Sequence, residues 1–323
     1  MWKRTPYTVT MGNNMVMRVI VVGLGVQGNK RRAVAEKEVV ATVDPVHPEA
    51  TFRSLADVPL GAYDAALVCT PDDTKIELLT HLLSNGKHLL VEKPLFAPDN
   101  STLNALAKIA RSKGVVCYTA YNHRFEPHFV RMKQVIESGR LGKIYCVRMF
   151  YGNGTARLVR DSAWRDQGAG VLPDLGSHLL DTALFWFGKP TTPFEIYSCN
   201  RFENKSFDHF AFGTNGAPAL QFEMTLLNWR NHFYADVFAE KGSAHIQSLC
   251  KWGPSTFTLR DRKLPSGKPD EEAVTLVQPD PTWELEYQHF KQLCTNGESN
   301  IENDIWINAV LNDLSRRSLE AIK

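Results

Sequence analysis

The apolar run Met17–Val22 passes directly into Gly23-Leu24-Gly25-Val26-Gln27-Gly28, and this junction limits the fold more than any other segment. Three glycines spaced in this way call for a strand that turns sharply into a helix. The first glycine suits the tight turn, the second lets a ligand approach the backbone, and the third lets the helix pack closely. The helix N-terminus then offers free N–H groups and partial positive charge to a pyrophosphate. A glycine triplet alone is a weak signal, but Asp44 ends the next apolar run, 21 residues after Gly23. A carboxylate there accepts both ribose hydroxyls of NAD and repels the extra phosphate of NADP. Gly23, Gly25, Val26, Gln27, Gly28 and Asp44 are therefore the expected cofactor residues, and NAD is the expected cofactor. Lys30, Arg31 and Arg32 read mainly as a solvated helix face; one of them reaching a 2′-phosphate keeps NADP open.

Short β-branched runs alternate with helical stretches through the first 120 residues. The expected strands are Met17–Val22, Val39–Val43, Ala65–Cys69, Leu89–Glu92 and Val115–Thr119, with a weak one near Thr51. Thr74–Ser84 and Ser101–Ser112 read as helices, the second preceded by the cap-forming Asp99-Asn100 and stopped by Gly114. This alternation predicts an α/β domain over 17–122, a doubly wound parallel sheet of the Rossmann kind. From about residue 143 the pattern changes. Leu220, Phe222, Met224 and Leu226 alternate with polar residues, as in an antiparallel strand with one wet face. Phe207–Phe212, His232–Phe238 and Ala244–Leu249 read likewise, and Asn215-Gly216 signals a hairpin. Residues 123–323 thus predict an α+β domain, mostly antiparallel β-sheet with helices, for substrate binding and oligomerisation. Lys263–Glu272 reads as an exposed loop. Trp283–Cys294 and Asn303–Ile322 read as closing helices, the last expected to pack back on the first domain. Residues 1–16 read as a loose extension without chemistry of its own.

A length of 323 residues suits two such domains. The formal net charge of +2, without a concentrated basic face, argues against a nucleic-acid partner. Six scattered cysteines with no CxxC pair argue against a zinc ribbon or disulfide framework and for a reducing, cytoplasmic setting. No apolar run is long enough to span a bilayer, so no membrane role is expected.

Two further segments carry chemistry. Thr70-Pro71 and Val91-Glu92-Lys93-Pro94 end the fourth and fifth expected strands, counting the weak one. Ligands of open parallel sheets sit at the carboxyl ends of strands, which puts Lys93 where substrate would meet cofactor. The second segment runs from Gly168 to Asp181. If it is helical from Asp174 onward, Asp174, His178 and Asp181 share one face of an otherwise apolar helix. Such a polar stripe needs water, a site or partners, because unpaired burial is costly.

Together with the glycine loop, Cys69-Thr70-Pro71, Glu92-Lys93-Pro94, Tyr121-Asn122-His123-Arg124, Trp164-Arg165 and Asp174-x-Gly176-x-His178-x-x-Asp181 carry a resemblance over nearly the whole chain. The sequence resembles the glucose–fructose oxidoreductase / inositol dehydrogenase / rhizopine catabolism (Gfo/Idh/MocA) family. That resemblance implies a dehydrogenase acting on a sugar or cyclitol hydroxyl, with a cis bond at Lys93-Pro94. It makes Lys93 the lysine of the family's EKP motif and Asp174 and His178 the pair of its DxGxH motif. Of these, His178, titrating near neutrality if unperturbed, is the expected general base. Lys93 would hold the developing alkoxide, and Asp174 would orient substrate or histidine. Thr70, Pro71, Glu92, Lys93 and Asn122 join the expected cofactor residues, and Asp181 is expected to act from behind the site.

Arg124, either at the substrate or pinning the linker, is a weaker substrate candidate, as are Trp164, Arg165, Arg157 and Arg160. The clustered arginines suit an anion such as the phosphates of a nucleotide-linked sugar, and also suit a solvated loop. Relatives that oxidise UDP-linked amino sugars are one comparison; free sugars and inositols are others. The alternative to an enzyme is a non-catalytic NAD-binding regulator or sensor of the same fold. The far face of the second sheet needs a cover, which predicts a homodimer or homotetramer.

Overall fold

The computed structural model describes residues 16–162 and 165–321. The strands of its first sheet are β1 (Val19–Val22), β2 (Val39–Val43), β3 (Ala65–Val68), β4 (His88–Glu92) and β5 (Cys117–Ala120). All pair in parallel, in the order β2-β1-β3-β4-β5. Every residue of β1, β3 and β5 is buried, as expected of strands covered on both faces. The weak strand near Thr51 is a single parallel bridge from Phe52 to Val43. Counted as a strand, it gives the six-strand order 3-2-1-4-5-6 of dinucleotide-binding sheets.

Helices α1 (Val26–Ala35), α2 (Asp72–Ser84) and α3 (Asn100–Lys113) cross over between these strands. Local chemistry sets the ends of α3. The Asp99 carboxylate accepts from the Thr102 N–H at 3.1 Å, and Gly114 closes the helix with a φ of 64°. Between these caps Leu103, Leu106, Ala107 and Ala110 recur at helical spacing and are buried.

A crossover through α4 (Pro127–Glu137) leads to β6 (Ile144–Gly152), α5 (Ala156–Arg160) and α6 (Ser177–Phe187). Seven strands follow: β7 (Glu195–Asn200), β8 (His209–Thr214), β9 (Ala219–Thr225), β10 (His232–Ala239), β11 (Gly242–Gln247), β12 (Ser255–Lys263) and β13 (Gly267–Leu276). With β6 they form an eight-stranded sheet, β13-β12-β11-β10-β6-β9-β8-β7, antiparallel except where β6 meets β9. Asn215-Gly216 lies in the turn between β8 and β9. The inner face, with Phe212, Phe222, Phe233 and Val237, packs around α4 and α6. The outer face carries Arg148, Phe150, Glu223, Tyr234 and Asp236 in partial or full exposure.

The sequence reading of Lys263–Glu272 as a loop is corrected: it lies in the β12–β13 hairpin. Beyond Leu259 this edge hairpin is wet on both faces, so no apolar alternation marks Lys263–Glu272. Cross-strand charge pairs do instead, Arg260 with Glu271 at 2.8 Å and Lys263 with Asp270 at 2.7 Å. The chain closes with α7 (Thr282–Asn296) and α8 (Ile301–Glu320). Tyr287, Phe290 and Leu293 of α7 pack under the first sheet against Val19, Val21 and Leu67. Helix α8 touches both cores, Ile301 in the first and Ile307, Leu311 and Leu314 in the second.

Candidate active site

The glycine loop opens at the carboxyl ends of β1 and β3, where the strand order reverses. Each glycine meets a different constraint. Gly23 has a φ of 91°, and a Cβ there would lie 2.7 Å from the Cys69 carbonyl oxygen. A Cβ on Gly28 would lie 1.8 Å from the Gly23 carbonyl oxygen, so the start of α1 presses directly on the turn. At Gly25 a Cβ would meet nothing within 4 Å, so the chain's own packing does not require glycine there. Val26 and Gln27 are exposed beside that gap. The Thr70 hydroxyl, at the end of β3, is buried without a partner among the described residues. An open glycine and an orphaned hydroxyl on one rim fit a bound dinucleotide, whose pyrophosphate would lie on Gly25 and the start of α1.

Asp44 is fixed by backbone donors. Its Oδ2 accepts from the Leu24 N–H at 2.8 Å, and its Oδ1 accepts from the N–H groups of Val46 and His47 at 2.9 and 2.8 Å. Burial alone would raise its pKa, but these three donors hold it below the ordinary carboxylate value. It therefore stays ionised and oriented.

The basic triplet after the loop does not form one solvated face. Arg31 is 1% exposed and lies between two carboxylates, 2.7 Å from Glu92 Oε1 and 2.7 Å from Glu286 Oε2. The reason is that α1 packs on α7 through this side. Lys30 lies over the Trp283 ring at 4.9 Å, and Arg32 pairs with Glu49 at 3.2 Å on the surface. Glu92 thus points to Arg31. Asn122 donates to Thr282 Oγ1 at 2.8 Å, and Pro71 is exposed where α2 begins.

Lys93 follows β4 through a cis peptide to Pro94, the bond that the resemblance implies. Behind this loop the buried Lys75 ammonium donates to the carbonyls of Glu92 and Pro94 at 3.1 and 3.0 Å. The Lys93 Nζ donates to Asp174 twice, to Oδ1 at 2.8 Å and to the carbonyl at 2.7 Å. Asp174 lies in a π-helical turn, Leu172–Gly176, that runs into α6. The plain helix read from the sequence is therefore widened at its first turn, a feature common at functional sites. Arg165 approaches the other Asp174 oxygen at 3.8 Å. Burial would raise the Asp174 pKa, and Lys93 with Arg165 holds it below the ordinary value.

His178 is 7% exposed, and its Nδ1 has no partner among the described residues. Its ring stacks on His123, with centroids 4.1 Å apart and planes 20° apart. Burial first, then the neighbouring His123, Lys93 and Lys251, pushes its pKa well below the ordinary value. Titration near neutrality is thus corrected to an imidazole that is neutral at working pH. A neutral imidazole has a lone pair ready for a proton. Asp181, 1% exposed, is bound by Arg124, whose Nη2 and Nε lie 2.6 and 2.9 Å from its oxygens. Arg124 therefore pins the crossover turn to α6.

Of the remaining substrate candidates, Arg157 and Arg160 are exposed on α5, and Trp164 lies outside the described residues. The sequence alone assigns no role to His123 and Tyr151, which border His178, or to Lys251, which reaches His123. His123 stood inside a quoted motif, whereas Lys251 has no local signal at all.

Two family models match the chain in order. One, described as an oxidoreductase family with an NAD-binding Rossmann fold, covers residues 17–121. The other, the GFO/IDH/MocA C-terminal domain, covers residues 129–245. An uncharacterised oxidoreductase of Schizosaccharomyces pombe is 35% identical over 130 residues, 39% of this chain and 34% of its own. Inositol 2-dehydrogenase of Rhizobium meliloti is 29% identical over 126 residues, 39% of this chain and 37% of its own. The matches to these curated relatives span about a third of the relatives' length. The solved structure of levoglucosan dehydrogenase in complex with NADH superposes with a TM-score of 0.77 at 18% identity, covering 94% of this chain and 96% of that one. That likeness is one of fold.

Proposed function

The chain belongs to the Gfo/Idh/MocA oxidoreductase family, and from that premise we propose that it is an NAD(P)-dependent dehydrogenase of secondary alcohols. Its substrate is a sugar, a nucleotide-linked sugar or a cyclitol, as in the named functions of relatives such as inositol 2-dehydrogenase. One observation carries the reading: Lys93, Asp174 and His178 gather at the carboxyl edge of the first sheet, on the same rim as the glycine loop.

Bound NAD supplies the hydride acceptor. Asp44 would hold its ribose and favour it over NADP, because its charge repels a 2′-phosphate. The neutral His178 takes the hydroxyl proton as the substrate's C–H bond breaks. Lys93 donates a hydrogen bond to the oxygen as negative charge grows on it. Asp174 aims the Lys93 ammonium from 2.8 Å, and Arg165 steadies Asp174. Residues 17–122 carry the cofactor; residues 123–323 carry substrate contacts and the subunit contact. That contact is the outer sheet face, where Phe150 and Tyr234 stack at 5.4 Å, and it gives a homodimer or a dimer of dimers. The six cysteines are free, consistent with work in the cytoplasm.

The test is a spectrophotometric screen for NAD reduction against sugars, inositols and UDP-sugars, with Lys93→Ala and His178→Ala beside the wild type. Turnover should fall about 100-fold or more in each variant, the usual worth of acid–base assistance. Tight NAD binding with no turnover on any substrate, unchanged by either substitution, would replace this reading with that of a regulator.

A further inference from the structure

His178 is not the only buried imidazole at the site. The His123 ring, 1% exposed, lies face to face with it, and on its other side His123 Nε2 is 3.5 Å from Lys251 Nζ. Burial lowers the Lys251 pKa against the pull of Glu126 and Asp280; as an ammonium it donates to Nε2, which assigns the ring proton to Nδ1. That Nδ1 is buried without a partner among the described residues. Lys251 arrives from the turn after β11, over Trp252 at 4.9 Å and Tyr151 at 5.9 Å. Its countercharges are Glu126 and Asp280, which share a polar cluster with Cys250.

The other groups facing His178 are accounted for. Lys93 is bound to Asp174, Asp181 is bound to Arg124, and Tyr121 and Tyr151 present uncharged rings. Burial and the charges of Lys251 and Lys93 both push His123 well below the ordinary histidine value. Two stacked imidazolium rings would repel strongly, so the neutral pair can take up at most one additional proton. An added proton that makes His123 an imidazolium would therefore block uptake by His178.

We propose that Lys251 is a positioning residue for the base: its ammonium at His123 Nε2 keeps the stacked histidine pair uncharged, so that His178 enters turnover as a free proton acceptor. The inference rests on the reading of His178 as the base, and it adds a control that reaches the site through His123. Removing the Lys251 charge lets the pair take a proton from solvent at higher pH. The acid limit below which the base is already occupied then moves to higher pH.

The experiment follows histidine ring resonances by NMR against pH in the full chain without cofactor, and the pH profile of kcat/KM beside it. Lys251→Met removes the charge, and Lys251→Gln removes it while keeping a polar head, so that one remains readable if the other misfolds. Lys251→Arg keeps the charge. The first protonation of the pair should rise by about one pH unit in the Met and Gln variants and stay near wild type in the Arg variant. The acid limb of kcat/KM should move with it. A purely structural role would lower kcat and leave the limb in place, and unchanged ring titration would overturn the proposal. A ring titration that shifts as stated in a protein that turns over no alcohol would overturn the reading of His178 as base and leave the Lys251–His123 coupling standing.

Discussion

Gly25 and Gly28 stand three residues apart in one motif, yet alanine at the two positions should fail in opposite ways. At Gly28 the new methyl would lie 1.8 Å from the Gly23 carbonyl oxygen and 2.9 Å from its carbon. Neither atom is the end of a flexible side chain, so the turn itself must move, at a cost of about 3 kcal/mol or more. At Gly25 the backbone φ is −69°, open to any residue, and the methyl would meet nothing within 4 Å. Alanine is a poorer helix cap than glycine, but it also loses less entropy on folding. The net change in stability should stay within about 0.5 kcal/mol. The methyl would, however, occupy the space assigned to the pyrophosphate. NADH affinity should therefore fall at least about tenfold, or ~1.4 kcal/mol. Urea denaturation and titration of NADH fluorescence read the two quantities separately. A Gly25→Ala protein that binds NADH like the wild type, or a Gly28→Ala protein of wild-type stability, would refute this assignment of the loop.

Other outcomes follow from the buried charges. Burial raises the Glu286 pKa from 4.5 to about 7, so the folded chain holds a proton that the unfolded chain releases. The resulting stability is complete below about pH 4.5 and is lost as pH rises through about 7. Glu286→Gln should flatten the dependence of Tm on pH across that window; an unchanged slope would count against the assignment. Arg124→Met leaves the 1% exposed Asp181 without its partner and should cost about 3–5 kcal/mol by denaturant titration. Asp44→Ser removes the carboxylate that repels a 2′-phosphate, and the ratio of NADP to NAD affinity should rise; a constant ratio would show that Asp44 does not choose the cofactor.

The legible parts of this chain are those whose cause is local. The β1 turn, Asp44 at the end of β2 and the caps of α3 each depend on residues within a few positions, and all could be read directly. The β8–β9 hairpin was legible through the period of two in β9 and its Asn215-Gly216 turn. The Lys263–Glu272 end of the β12–β13 hairpin was not, because a stretch wet on both faces has no apolar period and declares itself only through cross-strand pairs. Arg31 looked like its neighbours, and its burial depends on Glu286, 255 positions away. The spacing of Asp174, His178 and Asp181 was read as one helix face; the π turn and the distant Lys93 and Arg124 decide what each carboxylate does. His123 and Lys251 meet across 128 residues, so only the fold could bring them together.

The central claim is that hydride passes directly between an alcohol carbon and the nicotinamide at a site built by Lys93 and His178. It is tested most directly with an alcohol that the screen finds, carrying deuterium on its carbinol carbon. After one turnover, NMR of the reduced cofactor should show the deuterium at the nicotinamide C4 carbon, with the transfer slowed at least about 100-fold in His178→Ala. Deuterium lost to water, or transfer at the wild-type rate in that variant, would contradict the account.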